Sequence, residues 1–126
     1  MRKSTKFYIC EKCGNQVELI KDSGAPMMCC GQKMIVLEAN TTDAAVEKHV
    51  PIYEKIEDEI LVKVGETEHP MEKEHYITWV ALETDNTITR ATLYPEQSTE
   101  VFFPYEKGAT IYAYCNKHGL WKTEVE

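Results

Sequence analysis

Every cysteine and every histidine of this chain falls into one of two groups, and that partition constrains the fold more than any other feature. Cys10, Cys13, Cys29 and Cys30 lie within the first 30 of 126 residues, whereas Cys115 stands apart with all four histidines, His49, His69, His75 and His118. Two separate metal sites are the simplest arrangement. One is closed by four thiolates. The other is built from imidazoles and a single thiolate, and it has to draw its ligands together from distant points of the chain.

A length of 126 residues fits one domain, or one domain plus a very small one. A hydrophobic content of 43% with five prolines and six glycines is ordinary for a folded chain and argues against disorder. The opening MRKSTKFYIC is basic but lacks the apolar run of a signal peptide. No segment approaches the roughly 18 apolar residues that span a bilayer. A cytoplasmic location is therefore expected, where thiols stay reduced and serve as ligands or catalysts. Five cysteines, an odd number, also fit poorly with a purely disulfide-stapled protein. A net charge of −7 with no basic block longer than two residues excludes nucleic acid as a partner, because phosphate binding needs a clustered positive face.

Residues 1–37 read as a first unit. Short strands are expected at Phe7–Ile9, Val17–Ile20 and Met34–Leu37, with turns at Asp22–Pro26 and at Cys29-Cys30-Gly31. A unit this small seldom holds itself together by apolar burial alone, and a metal commonly supplies the difference. Asn40–Glu47 is the one stretch with helical character and reads as a linker. Beyond it the chain reads as β throughout. Ile52–Ile56 and Ile60–Val64 form a hairpin, followed by strands at Tyr76–Leu82, Ile88–Tyr94, Val101–Tyr105, Thr110–Cys115 and Leu120–Val125. About seven strands at this spacing predict an immunoglobulin-like antiparallel β-sandwich over residues 38–126, so the whole chain is mainly β.

Cys10-Glu-Lys-Cys13 is a metal knuckle, with Gly14 freeing the backbone to turn around the ion. Cys29 and Cys30 are adjacent. Successive side chains of a strand point to opposite faces, so both reach one metal only from a turn, which Gly31 permits. Four thiolates suit zinc and iron alike, and a vicinal disulfide is the remaining alternative. In the second group each histidine alone has an ordinary explanation as a core or loop residue. Cys115-Asn-Lys-His118 is different, being a ligand spacing on a strand-to-loop turn. Five ligands are too many for tetrahedral zinc. Four imidazoles with a thiolate on one axis suit iron and leave the opposite axial position free for a small molecule. Two other classes compete. A blue-copper electron carrier uses Cys and two histidines, usually with an axial methionine. No methionine follows His118, and two histidines would be left over. A structural zinc protein that binds a partner is the other, and the free position counts against it.

The segments Cys10-Glu-Lys-Cys13-Gly14, Cys29-Cys30, Asp43-Ala-Ala-Val-Glu-Lys-His-Val-Pro51, Gly65 with His69-Pro-Met71, His75-Tyr76 and Tyr114-Cys-Asn-Lys-His-Gly-Leu-Trp121 resemble those of the desulfoferrodoxins, the two-iron superoxide reductases. The resemblance covers essentially the whole chain. It implies a desulforedoxin-like domain with iron on Cys10, Cys13, Cys29 and Cys30. It implies a second iron with His49, His69, His75 and His118 in a plane and Cys115 on the axis. The implied reaction gives superoxide one electron and two protons and yields hydrogen peroxide without dioxygen. Rubredoxin or a similar small carrier is the implied electron donor, and a homodimer the implied assembly. On residues alone Lys48 is an ordinary solvated lysine and Glu47 the exposed end of the linker helix. The resemblance makes Lys48 the group that attracts the anion and orders a proton-bearing water, and Glu47 a sixth ligand to the oxidised iron.

Overall fold

A computed structural model describes residues 5–41, 46–65 and 69–126, and the side chain of Glu47 lies outside the described residues. The chain divides into two compact units, one running to Glu38 and the other from Ala39 to Glu126.

The first unit contains β1 (Lys6–Ile9), β2 (Gln16–Leu19), β3 (Met28–Cys29), β4 (Gln32–Lys33) and β5 (Ile35–Val36). β1 is central in a sheet of order β2-β1-β5, and β3 pairs with β4 in a separate hairpin. The sequence predicts one strand at Met34–Leu37, whereas the structure has a hairpin before it and only two paired residues within it. The reason is local. Cys30 and Gly31 both lie in the left-handed region, at φ 54° and 75°. A two-residue turn with both φ positive matches the twist of the flanking strands and closes β3 onto β4. The apolar core of this unit is Phe7, Cys10 and Met34. Ile20 is 80% exposed and Met28 58% exposed, so apolar burial is thin.

The second unit contains a single helical turn, α1 (Val46–His49), then β6 (Pro51–Ile56), β7 (Glu59–Val64), β8 (Ile77–Glu83), β9 (Ile88–Thr92), β10 (Val101–Pro104), β11 (Thr110–Cys115) and β12 (Gly119–Glu124). Two antiparallel sheets result, β10-β7-β6 and β12-β11-β8-β9, matching the predicted sandwich strand for strand. Ile60, Val62 and Val64 of β7 face inward at alternate positions, opposed by Val80 and Leu82 of β8 and by Ile111, Ala113 and Cys115 of β11. This period of two is what a half-buried strand requires. The thiol ligand therefore belongs to the hydrophobic core.

The predicted helix over Asn40–Glu47 falls partly outside the described residues. Residues 42–45 lie outside the described residues, and the helical turn is Val46–His49. Asn40 does not cap it. With φ 62°, its backbone N–H donates to Leu120 O at 2.9 Å, and its side-chain oxygen accepts the Lys122 N–H at 2.9 Å. It is tied to the edge of β12 instead. Among the described residues no helix is long and apolar enough to cross a membrane.

Candidate metal centres

The four amino-terminal cysteines converge. One sulfur from each of Cys10, Cys13, Cys29 and Cys30 lies within 4.8 Å of the others. Cys13 Sγ is 3.6 Å from Cys29 Sγ, and Cys29 Sγ is 3.9 Å from Cys30 Sγ. A tetrahedron with metal–sulfur bonds of about 2.3 Å has edges of about 3.8 Å, so these separations fit a shared ion. They are far longer than the ~2 Å of a disulfide, and all five cysteines are free thiols. The knuckle closes through Gly14 N–H donating to Cys10 O at 2.8 Å, with Gly14 at φ 83°. The backbone amide of Cys13, helped by that of Lys12, brings the Cys10 thiol down to about 6. Neighbouring thiols push Cys30 up to about 12 and raise Cys29 as well. One thiolate is thus ready near neutrality, while Cys29 and Cys30 keep their protons until an ion replaces them.

The second centre is assembled from four places. His49 ends α1, and His69 precedes Pro70 in the β7–β8 connection. His75 closes a tight turn through paired backbone hydrogen bonds with Glu72, at 3.0 and 3.1 Å. Cys115 ends β11, and His118 lies on the turn to β12, which Gly119 closes at φ 81°. Successive imidazoles around the ring meet nearly at right angles. His49–His69, His69–His75, His75–His118 and His118–His49 have centroids 4.6, 4.8, 4.9 and 4.8 Å apart and interplanar angles of 74°, 83°, 76° and 82°. The opposed rings of His49 and His75 are 6.4 Å apart and closer to parallel, at 26°. This is a square of imidazoles. Cys115 Sγ lies 3.8 Å from His118 Nδ1 and within 4.8 Å of nitrogens of His49, His69 and His75.

Chemistry of the donor atoms supports a shared metal. The buried Nε2 atoms of His69 and His75 have no hydrogen-bond partner, which is costly unless an ion takes their lone pairs. Nδ1 of His69 faces Pro70 O at 2.7 Å and donates to it, which leaves Nε2 as the lone-pair nitrogen. His118 Nδ1 lies 3.0 Å from His49 Nε2. Two nitrogens at right angles about a metal, each about 2.1 Å away, are about 3.0 Å apart. Burial, reinforced by the other imidazoles and opposed by the Pro70 carbonyl, lowers His69 to about 4. Burial lowers His75 in the same way. Both are therefore neutral ligands at pH 7. Burial raises the Cys115 thiol, against the backbone amides of Lys117 and His118 that favour its thiolate. Four imidazoles in a square with one thiolate are a donor set that would suit iron, and they exceed what tetrahedral zinc or a blue-copper site employs.

Lys48 is exposed on α1, one residue before His49. Glu47 occupies the same turn, its side chain lying outside the described residues. Two residues at the centre carry no metal-ligand chemistry and are invisible to a search for donors. Trp121, 2% exposed, stacks on His49 at 5.1 Å and 23°, and its Nε1–H donates to His118 O at 3.0 Å. Asn116 links the Cys115–His118 turn to the segment carrying His75. A tryptophan three residues after the last histidine is the one sequence signal for the first; the second has none beyond adjacency to Cys115.

Comparison with known proteins agrees with this geometry. Residues 41–124 match the family model described as Desulfoferrodoxin, and residues 2–37 match that described as Desulfoferrodoxin, N-terminal domain. The chain is 44% identical over 125 residues to the desulfoferrodoxin of Syntrophotalea carbinolica, covering 98% of this chain and 99% of that one. It is 37% identical over 100 residues to the superoxide reductase of Pyrococcus abyssi, covering 64% of this chain and 87% of the relative. Among solved structures, the superoxide reductase of Treponema pallidum superposes with a TM-score of 0.76 at 31% identity, covering 97% of this chain and all (100%) of the other.

Proposed function

The chain belongs to the desulfoferrodoxin family, and from that premise we propose that it reduces superoxide to hydrogen peroxide at the four-histidine, one-cysteine centre. The observation that carries this reading is the square of imidazoles with a buried thiolate beside it. Five donors converge on one point, a set that would hold iron and could leave room for a small anion. When bound there, iron supplies one electron to superoxide, which with two protons becomes hydrogen peroxide, and no dioxygen forms.

The protein's own residues divide the remaining tasks. His49, His69, His75 and His118 hold the plane, and Pro70 O keeps the His69 ring in the tautomer that leaves Nε2 free. Cys115 would hold the iron through its thiolate and supply negative charge to it, which would favour proton delivery to the reduced product. Backbone amides at Lys117 and His118 temper that donation by attracting the sulfur's charge. Lys48 attracts the anion at short range and orders a proton-bearing water. It acts on a chain of net charge −7, where salt screens beyond about 8–10 Å. Glu47, next to Lys48 in sequence, would be a further carboxylate ligand for the oxidised iron. Residues 1–37 form the iron–cysteine domain, on Cys10, Cys13, Cys29 and Cys30, and store or pass an electron. Residues 38–126 form the catalytic domain. The protein works as a cytoplasmic homodimer supplied by rubredoxin or a similar carrier; the resemblance in motif supports these assignments.

The test is anaerobic. Fully reduced protein receives a known dose of superoxide, and peroxide and dioxygen are measured against a protein-free control. Extra peroxide, suppressed dioxygen and oxidised iron are expected. Enhanced dioxygen would mean dismutation instead, and no difference from the control would leave an electron carrier.

A further inference from the structure

We propose that Asn116 is a positioning residue, locking His75 to the Cys115 turn and thereby fixing how the His75 imidazole and the Cys115 thiolate are placed relative to one another. This rests on the reading that His75 and Cys115 share one metal.

The ladder between β8 and β11 runs in regular register from Thr110↔Glu83 to Tyr114↔Trp79, then slips so that Cys115 pairs with Ile77. A bulge of this kind re-aims side chains but leaves the local ladder disrupted. Asn116 repairs it. Its backbone N–H donates to Tyr76 O at 3.2 Å, and its side-chain Oδ1 accepts the Tyr76 N–H at 3.0 Å. Its Nδ2 donates to Glu74 O at 3.1 Å. A carboxamide offers an acceptor and a donor in one plane, as a peptide group does, so the side chain stands in for a strand residue. The three bonds reach the residues on both sides of His75 and originate next to Cys115. The partners are 40 and 42 positions away in sequence, so no local turn would make these contacts without Asn116.

Stability does not explain the arrangement. Asn116 is exposed, and exposed hydrogen bonds exchanged against water add little. Geometry does. His75 lies outside both sheets, and its Nε2 is buried with no protein partner, so its direction decides whether it meets the metal. Partners that orient ligands in this manner typically change metal affinity about 10–100-fold when removed.

The experiment uses the full iron-loaded chain and the variants Asn116→Ala and Asn116→Asp. Aspartate keeps the acceptor for Tyr76 but turns a carboxylate toward Glu74 O. Iron affinity of the second centre and its thiolate-to-iron absorption band are read with the thermal transition of the sandwich. Asn116→Ala is expected to weaken iron binding about tenfold and to shift the band, with Asn116→Asp between it and the parent. The four-cysteine absorption serves as an internal control and stays unchanged. In a His75→Ala background, Asn116→Ala should have no further effect on affinity. An unaltered band and affinity in Asn116→Ala, even with a lowered transition, would overturn the proposal. So would an equal loss with and without His75. None of these readouts involves superoxide, so failure of the proposed activity and failure of this inference are separable.

Discussion

The two units hold their metal ligands by opposite means. In the first, four cysteines lie within 21 consecutive residues, Cys10 to Cys30, around a core of Phe7, Cys10 and Met34. In the second, five ligands span His49 to Cys115 and His118, and they rest on a sandwich whose core includes Cys115 itself. Cys13 and Cys30 are exposed, whereas His49, His69 and Cys115 are almost wholly buried. The first unit has little to fold around except its ion. The second folds by burying strands, and the centre is a consequence. A local ligand set makes a metal part of the fold, and a dispersed one makes the fold a precondition for the metal.

The largest expected effect follows directly. Chelation, or Cys13→Ser, should unfold residues 1–37 almost completely, because structural metal binding of about 10 kcal/mol is also folding free energy for so small a unit. The sandwich should persist. Amide hydrogen exchange reads both at once: lost protection on β1, β2 and β5 with retained protection on β7, β8 and β11. Simultaneous loss in both units would erase the distinction drawn here.

In the second unit the comparable blow comes from packing. Trp121→Ala removes a side chain 2% exposed that stacks on His49 and bonds to His118 O. A cost of about 3–5 kcal/mol is expected for deleting a buried tryptophan. Denaturant unfolding of the metal-free protein isolates this from ligand loss. Trp121→Phe, which retains stacking but not the Nε1–H donor, should cost less. Equal losses in both variants would assign the role to the hydrogen bond alone.

The same contrast explains what the sequence reveals. Strand alternation of Val, Ile, Leu and aromatic residues makes all seven sandwich strands legible, because the pattern that identifies them is the pattern that buries them. Knuckle spacing makes the first centre legible, since its ligands are neighbours in sequence. Adjacency of Cys29 and Cys30 implies a turn, and the positive φ of Cys30 provides it. The β3–β4 hairpin escapes notice because its strands are two residues each, too short for any period. Asn40 resembles a helix cap yet bonds to β12, a partner 80 residues away that no local propensity encodes. Contacts of Asn116 and Trp121 are hidden for the same reason. They depend on which distant backbone a bulge or a strand brings near.

A smaller effect concerns charge. Lys48→Ala should slow the second-order reaction with superoxide about tenfold at low salt, the low end of electrostatic steering. Raising ionic strength should shrink the difference between parent and variant, as screening removes what Lys48 contributes. Stopped-flow or pulse-generated superoxide gives the rate. Identical rates at low salt would take Lys48 out of the reaction. Glu47→Ala should leave that encounter rate intact and alter the absorption of the oxidised centre; an unchanged spectrum would remove Glu47 as a ligand.

The finest distinction is in protons. A metal ligand must shed its proton before binding, so affinity falls as pH falls through a ligand's pKa. At the second centre His69, lowered to about 4, and His75, also lowered, are already neutral at pH 7. The raised Cys115 thiol is the proton that loading must displace there. At the first centre Cys10, near 6, is already ionised, whereas Cys29 is raised and Cys30 stands near 12. Both must lose protons. Between pH 7 and 8, affinity should therefore change by about tenfold at the second centre and by about a hundredfold or more at the first, one factor of ten per proton displaced. Cobalt(II) titration of the metal-free chain measures this, with Cys30→Ser disabling one centre and His75→Ala the other. A flat response at the second centre would mean that the amides of Lys117 and His118 already hold Cys115 as thiolate, and equal slopes would mean that Cys29 and Cys30 do not both carry a proton that loading must displace.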